Sequence, residues 1–309
     1  MMQVKVFVSS RSCLHFIRVA VMAVAVCTLF TAELAAQRNA DGTGTPYLNT
    51  IIERFEADLP SFNGEHWVNL PGIEHNPFAY PALRERMDEL KPEGSTKPTM
   101  FPIVRMDFEG FQEYNHLVTG LLNQGVGGII LPMPETVAEV AKFVAAMRLP
   151  PQRITPHELR FPYGTRGWNP GAARRYWGLA SNNDYVRIGD VWPLNPQGEL
   201  MAIVMIETPA MVDMIYDILM VPGLSGVLIG QGDLSIRTGV GEPGANQYHP
   251  EVEEQVARVA RACVELGKLC GSYQNPPEGS CGEPVCGQAF RVKQGFRIFT
   301  SGRGNYTGE

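Results

Sequence analysis

Two short apolar runs lie close together in the second half of the chain. Residues 202–206 (AIVMI) and 226–230 (GVLIG) are bounded by turn residues, and neither run alternates apolar with polar positions. Such runs are typical of strands that are covered on both faces, as in a parallel sheet. Between them, residues 209–220 carry apolar side chains at helical spacing. The pattern therefore predicts a strand, a helix and a second strand.

The same alternation of predicted strands and helices runs through most of the chain. The further predicted strands are residues 66–70, 99–105, 128–132, 268–272 and 296–299. Helical spacing marks residues 47–58, 80–90, 116–124, 135–147 and 250–266. Seven clear strands and one doubtful strand, alternating with helices, predict an α/β fold of the TIM-type (β/α)8 barrel. The first βα unit is compressed, since only residues 60–65 separate the first helix from the strand at residue 66.

A carboxylate lies at the end of each of the two apolar runs. Glu207 follows the first run and Asp233 follows the second. The C-terminal ends of parallel strands carry the active site in barrels, and two carboxylates there are suited to a hard divalent cation. The alternative is that Glu207 caps the next helix and Asp233 caps the turn at residues 232–235. Geometry alone leaves both interpretations open.

The words around these carboxylates carry a resemblance to a known family. Residues 206–208 read IET, and residues 230–235 read GQGDLS after the approach VPGLSGVLIG. This chain resembles the HpcH/HpaI family of metal-dependent pyruvate aldolases, relatives of the citrate lyase β chain, whose members carry Q-I-E-T and G-P-x-D-L-S motifs. The resemblance covers roughly residues 72–299. Met205 stands where the family has Gln, and Gln231 stands where it has Pro.

The resemblance assigns roles to particular residues. It implies that Glu207 and Asp233 ligate a divalent metal, with magnesium, manganese or cobalt all suited to oxygen ligands. It implies that His75, in the segment IEHNP, is the catalytic acid or base. Arg105 ends a P-x-V-R strand and would bind the pyruvate carboxylate and ketone oxygen through its planar fork. Backbone N–H groups near Gly232 and Asp233 would hold the same carboxylate.

Two positions depart from the family pattern around this histidine. The family's Asp that orients the His falls on Gly72, and another helpful Asp falls on Asn123. A His without its carboxylate loses an orienting hydrogen bond and a charge that raises its pKa. The plainer alternatives are that His75 is a loop histidine and that Arg105 forms a structural salt bridge.

The activity implied by the resemblance is that of a metal-dependent aldolase. It would cleave 4-hydroxy-2-oxo acids to pyruvate and an aldehyde through a metal-bound enolate, so the expected partner is a small pyruvate-like 2-oxo acid. Two alternatives stand beside it: an acyl-CoA lyase of the citrate lyase β type, and a non-catalytic exported protein that binds a metal and a 2-oxo acid. Family members end in one more helix, which packs on a neighbouring subunit. No such helix is predicted here, which bears on whether the chain forms a homo-oligomer.

The N-terminus follows the plan of a secretory signal peptide. Basic residues precede an apolar run at residues 19–30, and small residues follow at 31–37. Cleavage after Ala36 would leave residues 37–309 as a single barrel domain, exported to the periplasm or secreted, without a stable membrane span. The alternative is an uncleaved N-terminal anchor.

An irregular segment at about residues 154–196 interrupts the barrel pattern. It mixes arginines with three tryptophans, a combination that binds anions or stacks on rings. One interpretation is an enlarged lid over the active site, partly helical at residues 172–178. The other is a structural insertion whose tryptophans pack on the barrel.

Composition excludes several other classes of protein. A net charge of −6 and a pI of about 5.6 argue against nucleic-acid binding. No G-x-G-x-x-G follows the first strand and no P-loop occurs, which argues against nucleotide binding. Cys281 and Cys286 lie close enough in sequence for a disulfide in an exported protein, which the spacing leaves open. Cys263 and Cys270 read as buried small hydrophobes, without the spacing of a zinc site.

Overall fold

The structure is a computed structural model that describes residues 47–70, 80–106, 115–151, 161–241 and 244–308. These residues belong to a compact unit that spans residues 45–309. The sequence calls at residues 1–36 and at His75 lie outside the described residues.

Nine strands form one sheet in which every pairing is parallel. Eight of them follow one another in the order β1-β9-β8-β7-β6-β4-β3-β2. The two end strands approach each other through a bridge between Asn63 and Trp67, so the barrel is nearly closed. The short β5 pairs only with the start of β6. The strands are β1 (Ser61–Phe62), β2 (Trp67–Leu70), β3 (Phe101–Arg105), β4 (Gly128–Pro132), β5 (Val191–Trp192), β6 (Leu200–Ile206), β7 (Gly226–Ile229), β8 (Leu269–Ser272) and β9 (Ile298–Phe299).

Helices cover the outside of this barrel, and their starts follow ordinary capping chemistry. The Thr136 side chain accepts from the Glu139 N–H at the start of α4, and Pro250 opens α10. The helices are α1 (Thr50–Glu56), α2 (Tyr80–Glu89), α3 (Asn115–Gln124), α4 (Val137–Met147), α5 (Gly171–Tyr176), α6 (Asn182–Ile188), α7 (Pro209–Asp213), α8 (Ile215–Leu219), α9 (Gln231–Thr238), α10 (Pro250–Glu265) and α11 (Gln288–Lys293). Among the described helices, none combines the length and apolar character needed to span a bilayer.

The predicted barrel is confirmed, including its unusual ends. Residues 63–66 join β1 directly to β2 without a helix, and residues 300–308 after β9 contain none. Two local predictions need correction. Residues 209–220 form two short helices, α7 and α8, instead of one. Residues 232–235 belong to a helix, α9, and not to an isolated turn.

Strand β6 shows why the apolar runs do not alternate with polar residues. Its seven residues are all buried. Ala202 and Val204 face the cluster under the helices, whereas Ile203 and Met205 face a second cluster inside the barrel. Successive side chains of a strand point to opposite faces, so a strand covered on both faces is apolar throughout.

Two tryptophans of the irregular segment pack against the barrel. Trp177 donates its indole N–H to the carbonyl of Gly125, ahead of β4, and its ring lies 5.3 Å from that of Phe101. Trp192 belongs to β5, at the start of β6. Arg148 and Asp190 fix the segment with a buried salt bridge of 2.8 Å. These contacts lie at the N-terminal ends of the strands; a lid role for the remainder stays a prediction.

The four cysteines after the N-terminal region fall into two kinds. Cys281 and Cys286 form a disulfide with Cα atoms 5.8 Å apart. Cys263 and Cys270 are free and buried, as predicted. Burial raises the pKa of the Cys263 thiol well above its usual value, so it remains a neutral, packed side chain.

Candidate functional site

Several polar side chains meet at the C-terminal edge of the barrel. Arg105 ends β3, Glu207 follows β6, Gly230 follows β7 and Tyr273 follows β8. Because all these strands are parallel, their ends lie on one edge, where barrel folds place their chemistry.

Glu207 is the most unusual of these residues. Its side chain is only 1% exposed, and its Oε2 atom has no hydrogen-bond partner. Burial raises the pKa of Glu207 to about 7, and the negative charge of Asp233 raises it further. The charges of Arg105 and Arg237 act in the opposite direction. A buried carboxylate with an unpartnered oxygen is costly unless a cation or a proton meets it.

Gly230 makes room for this carboxylate. A Cβ at Gly230 would lie 2.6 Å from Glu207 Oε1 and 2.6 Å from the Cε atom of Met205. Real Cβ atoms do not approach other atoms so closely, so only glycine fits between β7 and the Glu207 side chain. The glycine that opens the GQGDLS motif thus has a steric reason.

Helix α9 brings the second carboxylate to the same place. Asp233 lies in its first turn, with its side chain exposed, near enough to Glu207 for a hydrogen bond between the two carboxyl groups. The first N–H groups of a helix lack partners within it, and Gly232 in this turn leaves open space beside them. The turn therefore presents backbone donors and one carboxylate next to Glu207.

Arg105 and Tyr273 complete the described part of the site. Arg105 Nη1 lies 3.8 Å from the Met205 sulfur, and its guanidinium carbon lies 5.3 Å from the centre of the Tyr273 ring. Burial raises the pKa of Tyr273, while the Arg105 charge and a hydrogen bond with Asn69 oppose that shift. The arginine is thus held over an aromatic face, with its charge directed to the edge where Glu207 lies.

Within the described ranges, no three side chains of His, Cys, Asp or Glu type come together as a metal site. Glu207 and Asp233 are a pair, and the predicted His75 and the departure at Gly72 lie outside the described residues. Asn123 lies in the last turn of α3, ahead of β4, and so at the opposite end of the barrel from the strand ends. The structure does not bring it to the site.

Two residues of this edge escaped the sequence interpretation. Tyr273 directly follows a predicted strand, the same signal that singled out Glu207. Gln231 was noted only as a replacement for Pro. Its side-chain N–H₂ donates to Ser272 Oγ at 2.8 Å and to the Gln274 carbonyl at 3.0 Å, which ties α9 to the loop after β8.

Comparisons with known proteins agree with this architecture. Residues 46–270 match the sequence profile of the family described as HpcH/HpaI aldolase/citrate lyase. The chain is 31% identical to a hydroxypyruvate/pyruvate aldolase from Delftia acidovorans, over 74% of this chain and 71% of that protein. It is 27% identical to a 2-keto-3-deoxy-L-rhamnonate aldolase from Escherichia coli, over 72% of each chain.

A solved structure supports the fold. An HpcH/HpaI aldolase/citrate lyase family protein from Burkholderia cenocepacia superposes with a TM-score of 0.62 at 22% identity, covering 82% of this chain and 93% of that one. At this level of identity the likeness concerns the fold alone.

Proposed function

We propose, because the chain belongs to the HpcH/HpaI aldolase/citrate lyase family, that it is a metal-dependent aldolase. Its reaction would cleave a 4-hydroxy-2-oxo acid to pyruvate and an aldehyde. The relatives named as aldolases support the class of reaction. The observation that carries the proposal is the buried Glu207 carboxylate with its unpartnered oxygen, facing Asp233 and within the field of Arg105.

The residues present fit a divalent cation. Two carboxylates side by side, one of them buried with a raised pKa and a free oxygen, form a site that lacks positive charge. Magnesium or manganese bound through two carboxylates is a common arrangement in which substrate and water fill the other positions. Glu207 and Asp233 would hold the ion. When bound, it supplies a Lewis acid for the oxygens of the 2-oxo acid.

The chain's own residues would bind and orient the substrate. Arg105 offers a planar pair of donors to the carboxylate and ketone oxygens, and its charge stabilises the negative charge that develops there. The first turn of α9, at Gly232 and Asp233, offers backbone N–H groups to the same carboxylate. Tyr273 packs against the guanidinium and restricts its orientation.

The bond changes require one base. In cleavage, a base removes the proton of the C4 hydroxyl, the C3–C4 bond breaks and the aldehyde leaves. The electron pair of that bond forms a C2–C3 double bond with negative charge on the C2 oxygen. A proton added to C3 then gives pyruvate. We assign the base to His75, as the sequence motif implies.

Exchange of the pyruvate methyl protons tests this proposal. The purified protein with pyruvate in D₂O and manganese is expected to give deuterated pyruvate by mass spectrometry, and chelation should stop the exchange. Glu207→Gln should abolish it. Glu254→Gln, the same change at an exposed carboxylate of α10, should leave it intact. Absence of exchange, despite measured binding of metal and pyruvate, would overturn the aldolase and favour a non-catalytic binding protein.

Export belongs to the same proposal. The disulfide between Cys281 and Cys286 is a feature of oxidising compartments, which supports the signal peptide prediction for residues 1–36. Mass spectrometry of the protein from its native host should find Gln37 as the N-terminal residue. A chain that keeps its first residues would contradict cleavage.

A further inference from the structure

A cavity opens beside Tyr273 on the same edge of the barrel. Its volume is about 430 Å³, which is within the usual range for small-molecule sites. Its walls come from the loop after β8, the start of α11 and the segment after β9. The side chains that matter for its chemistry are Tyr248, Gln274, Asn275, Gln288, Ser301 and Asn305.

The chemistry of these walls is polar but almost without charge. Four carboxamides, a serine hydroxyl and tyrosine hydroxyls line the cavity, and Glu278 is the one charged residue among its described lining. Phosphate and carboxylate groups are normally bound by Arg or Lys, and neither lines this cavity. Hydroxyl groups both donate and accept hydrogen bonds, so they match amide walls.

Two of the amides have unused hydrogen-bonding capacity. Gln274 Oε1 and Asn275 Oδ1 are buried and have no hydrogen-bond partner. The Asn275 N–H₂ group donates to Ser301 Oγ at 3.2 Å, which fixes the direction of the amide. Leaving such acceptors unsatisfied costs on the order of 1–3 kcal/mol each. A ligand with several hydroxyl groups would satisfy both.

The walls are held in place before any ligand arrives. Gln231 binds the backbone of Gln274 through both ends of its amide. Asn305 donates to the carbonyl of Cys286, which the disulfide ties to Cys281. A site that is already ordered binds its ligand with a smaller loss of entropy.

Tyr273 connects this cavity to the candidate active site. Its ring lies against Arg105, and the same residue lines the cavity. A molecule whose 2-oxo acid end lies on Arg105 therefore has the cavity beside it. We propose that the cavity binds the polyhydroxylated portion of the substrate, so that the substrates are sugar-derived 2-oxo acids without a phosphate group. This inference rests on the proposed aldolase function.

The addition direction gives a direct comparison of aldehydes. Pyruvate loses a methyl proton, its methyl carbon forms a bond to the aldehyde carbon, and the aldehyde oxygen gains a proton. We expect kcat/KM to be higher for D-glyceraldehyde than for propanal, which has the same number of carbons. D-glyceraldehyde 3-phosphate should be a poorer substrate than D-glyceraldehyde. Equal values for glyceraldehyde and propanal, or a preference for the phosphorylated aldehyde, would overturn the inference.

Two variants assign that preference to the cavity. Asn275→Leu and Gln274→Leu should each lower the glyceraldehyde-to-propanal ratio about threefold to tenfold, the effect of one neutral hydrogen bond. Asn183→Leu, the same change at an exposed position of α6, should keep the ratio. Thermal unfolding confirms that each variant is folded. A ratio that stays unchanged in both cavity variants would overturn the assignment.

Binding of a neutral polyol separates this inference from the proposed function. Saturation-transfer NMR with erythritol needs no catalysis. Binding to the native protein that Asn275→Leu and Gln274→Leu weaken, and Asn183→Leu does not, supports the polyol site even if pyruvate shows no exchange. Exchange without erythritol binding supports the aldolase and overturns the polyol cavity.

Discussion

Glu207 should make the metal-free protein less stable at neutral pH than its uncharged variant. The carboxyl group is 1% exposed, its Oε2 has no partner, and Asp233 lies beside it. Such a group is charged at a cost when no cation is bound. We therefore predict that Glu207→Gln stabilises the chelated protein at pH 8 while it removes pyruvate exchange.

The magnitude follows from the pKa of Glu207, which rises from 4.5 to about 7 on folding. Between these two values the folded chain binds more protons than the unfolded chain, so its stability falls as the pH rises. Each pH unit of that interval is worth about 1.4 kcal/mol, and the whole interval about 3 kcal/mol. The penalty is complete above pH 7, and near pH 5 it shrinks to less than about 1 kcal/mol.

Thermal unfolding in the presence of chelator measures this penalty. At pH 8, Glu207→Gln should unfold roughly 5–10 °C above the native sequence. At pH 5 the two should nearly coincide. Glu254→Gln serves as the control, because it removes an exposed carboxylate of α10 and should follow the native protein at both pH values.

Manganese should then reverse the order of stability. Saturation at about 100 times the dissociation constant adds roughly 2.7 kcal/mol to the native protein, while the glutamine variant should gain much less. If Glu207→Gln and the native protein unfold together at pH 8 in chelator, the argument from the buried charge is refuted.

Three further substitutions test other contacts. Gly230→Ala should lower methyl exchange on the order of 100-fold, because its Cβ would lie 2.6 Å from Glu207 Oε1; unchanged exchange and manganese affinity would contradict the steric argument. Arg105→Lys should raise the KM for pyruvate about tenfold or more in steady-state kinetics, since one ammonium replaces a planar fork; an unchanged KM would exclude Arg105 from substrate binding. Arg148→Met should cost about 3–5 kcal/mol in urea unfolding by leaving Asp190 buried without its partner, and a loss below about 1 kcal/mol would show that the pair is dispensable.

The barrel could be predicted because its strands are covered on both faces. Burial on two sides forces runs such as residues 202–206 to be apolar throughout, and parallel strands bring the residues after each run to one edge. Glu207 and Arg105 were found in this way. The same signal marks Tyr273, which follows the strand at residues 268–272, but a tyrosine carries no motif that distinguishes it from packing.

Other features depend on contacts that sequence patterns do not contain. Strand β1 has only two residues, and it is a strand because Ser61 and Phe62 pair with β9 far along the chain. The amide cavity is assembled from segments after β8 and after β9, whose residues lie together only when the barrel closes. The reason for Gly230 is likewise a close approach to Glu207, which no local pattern records.

Gln231 shows how a departure from a motif can be understood once its contacts are known. A proline at this position would have no side-chain donor and could not reach the loop after β8. Here the amide binds Ser272 and Gln274, so helix α9, which carries Asp233, is joined to the wall of the amide cavity. If the cavity selects the substrate, Gln231 transmits the position of that wall to the carboxylate pair. The replacement of Pro and the polar cavity are then parts of one adaptation, and Gln231→Pro should weaken both erythritol binding and the affinity for manganese. A variant that loses neither would separate the two features.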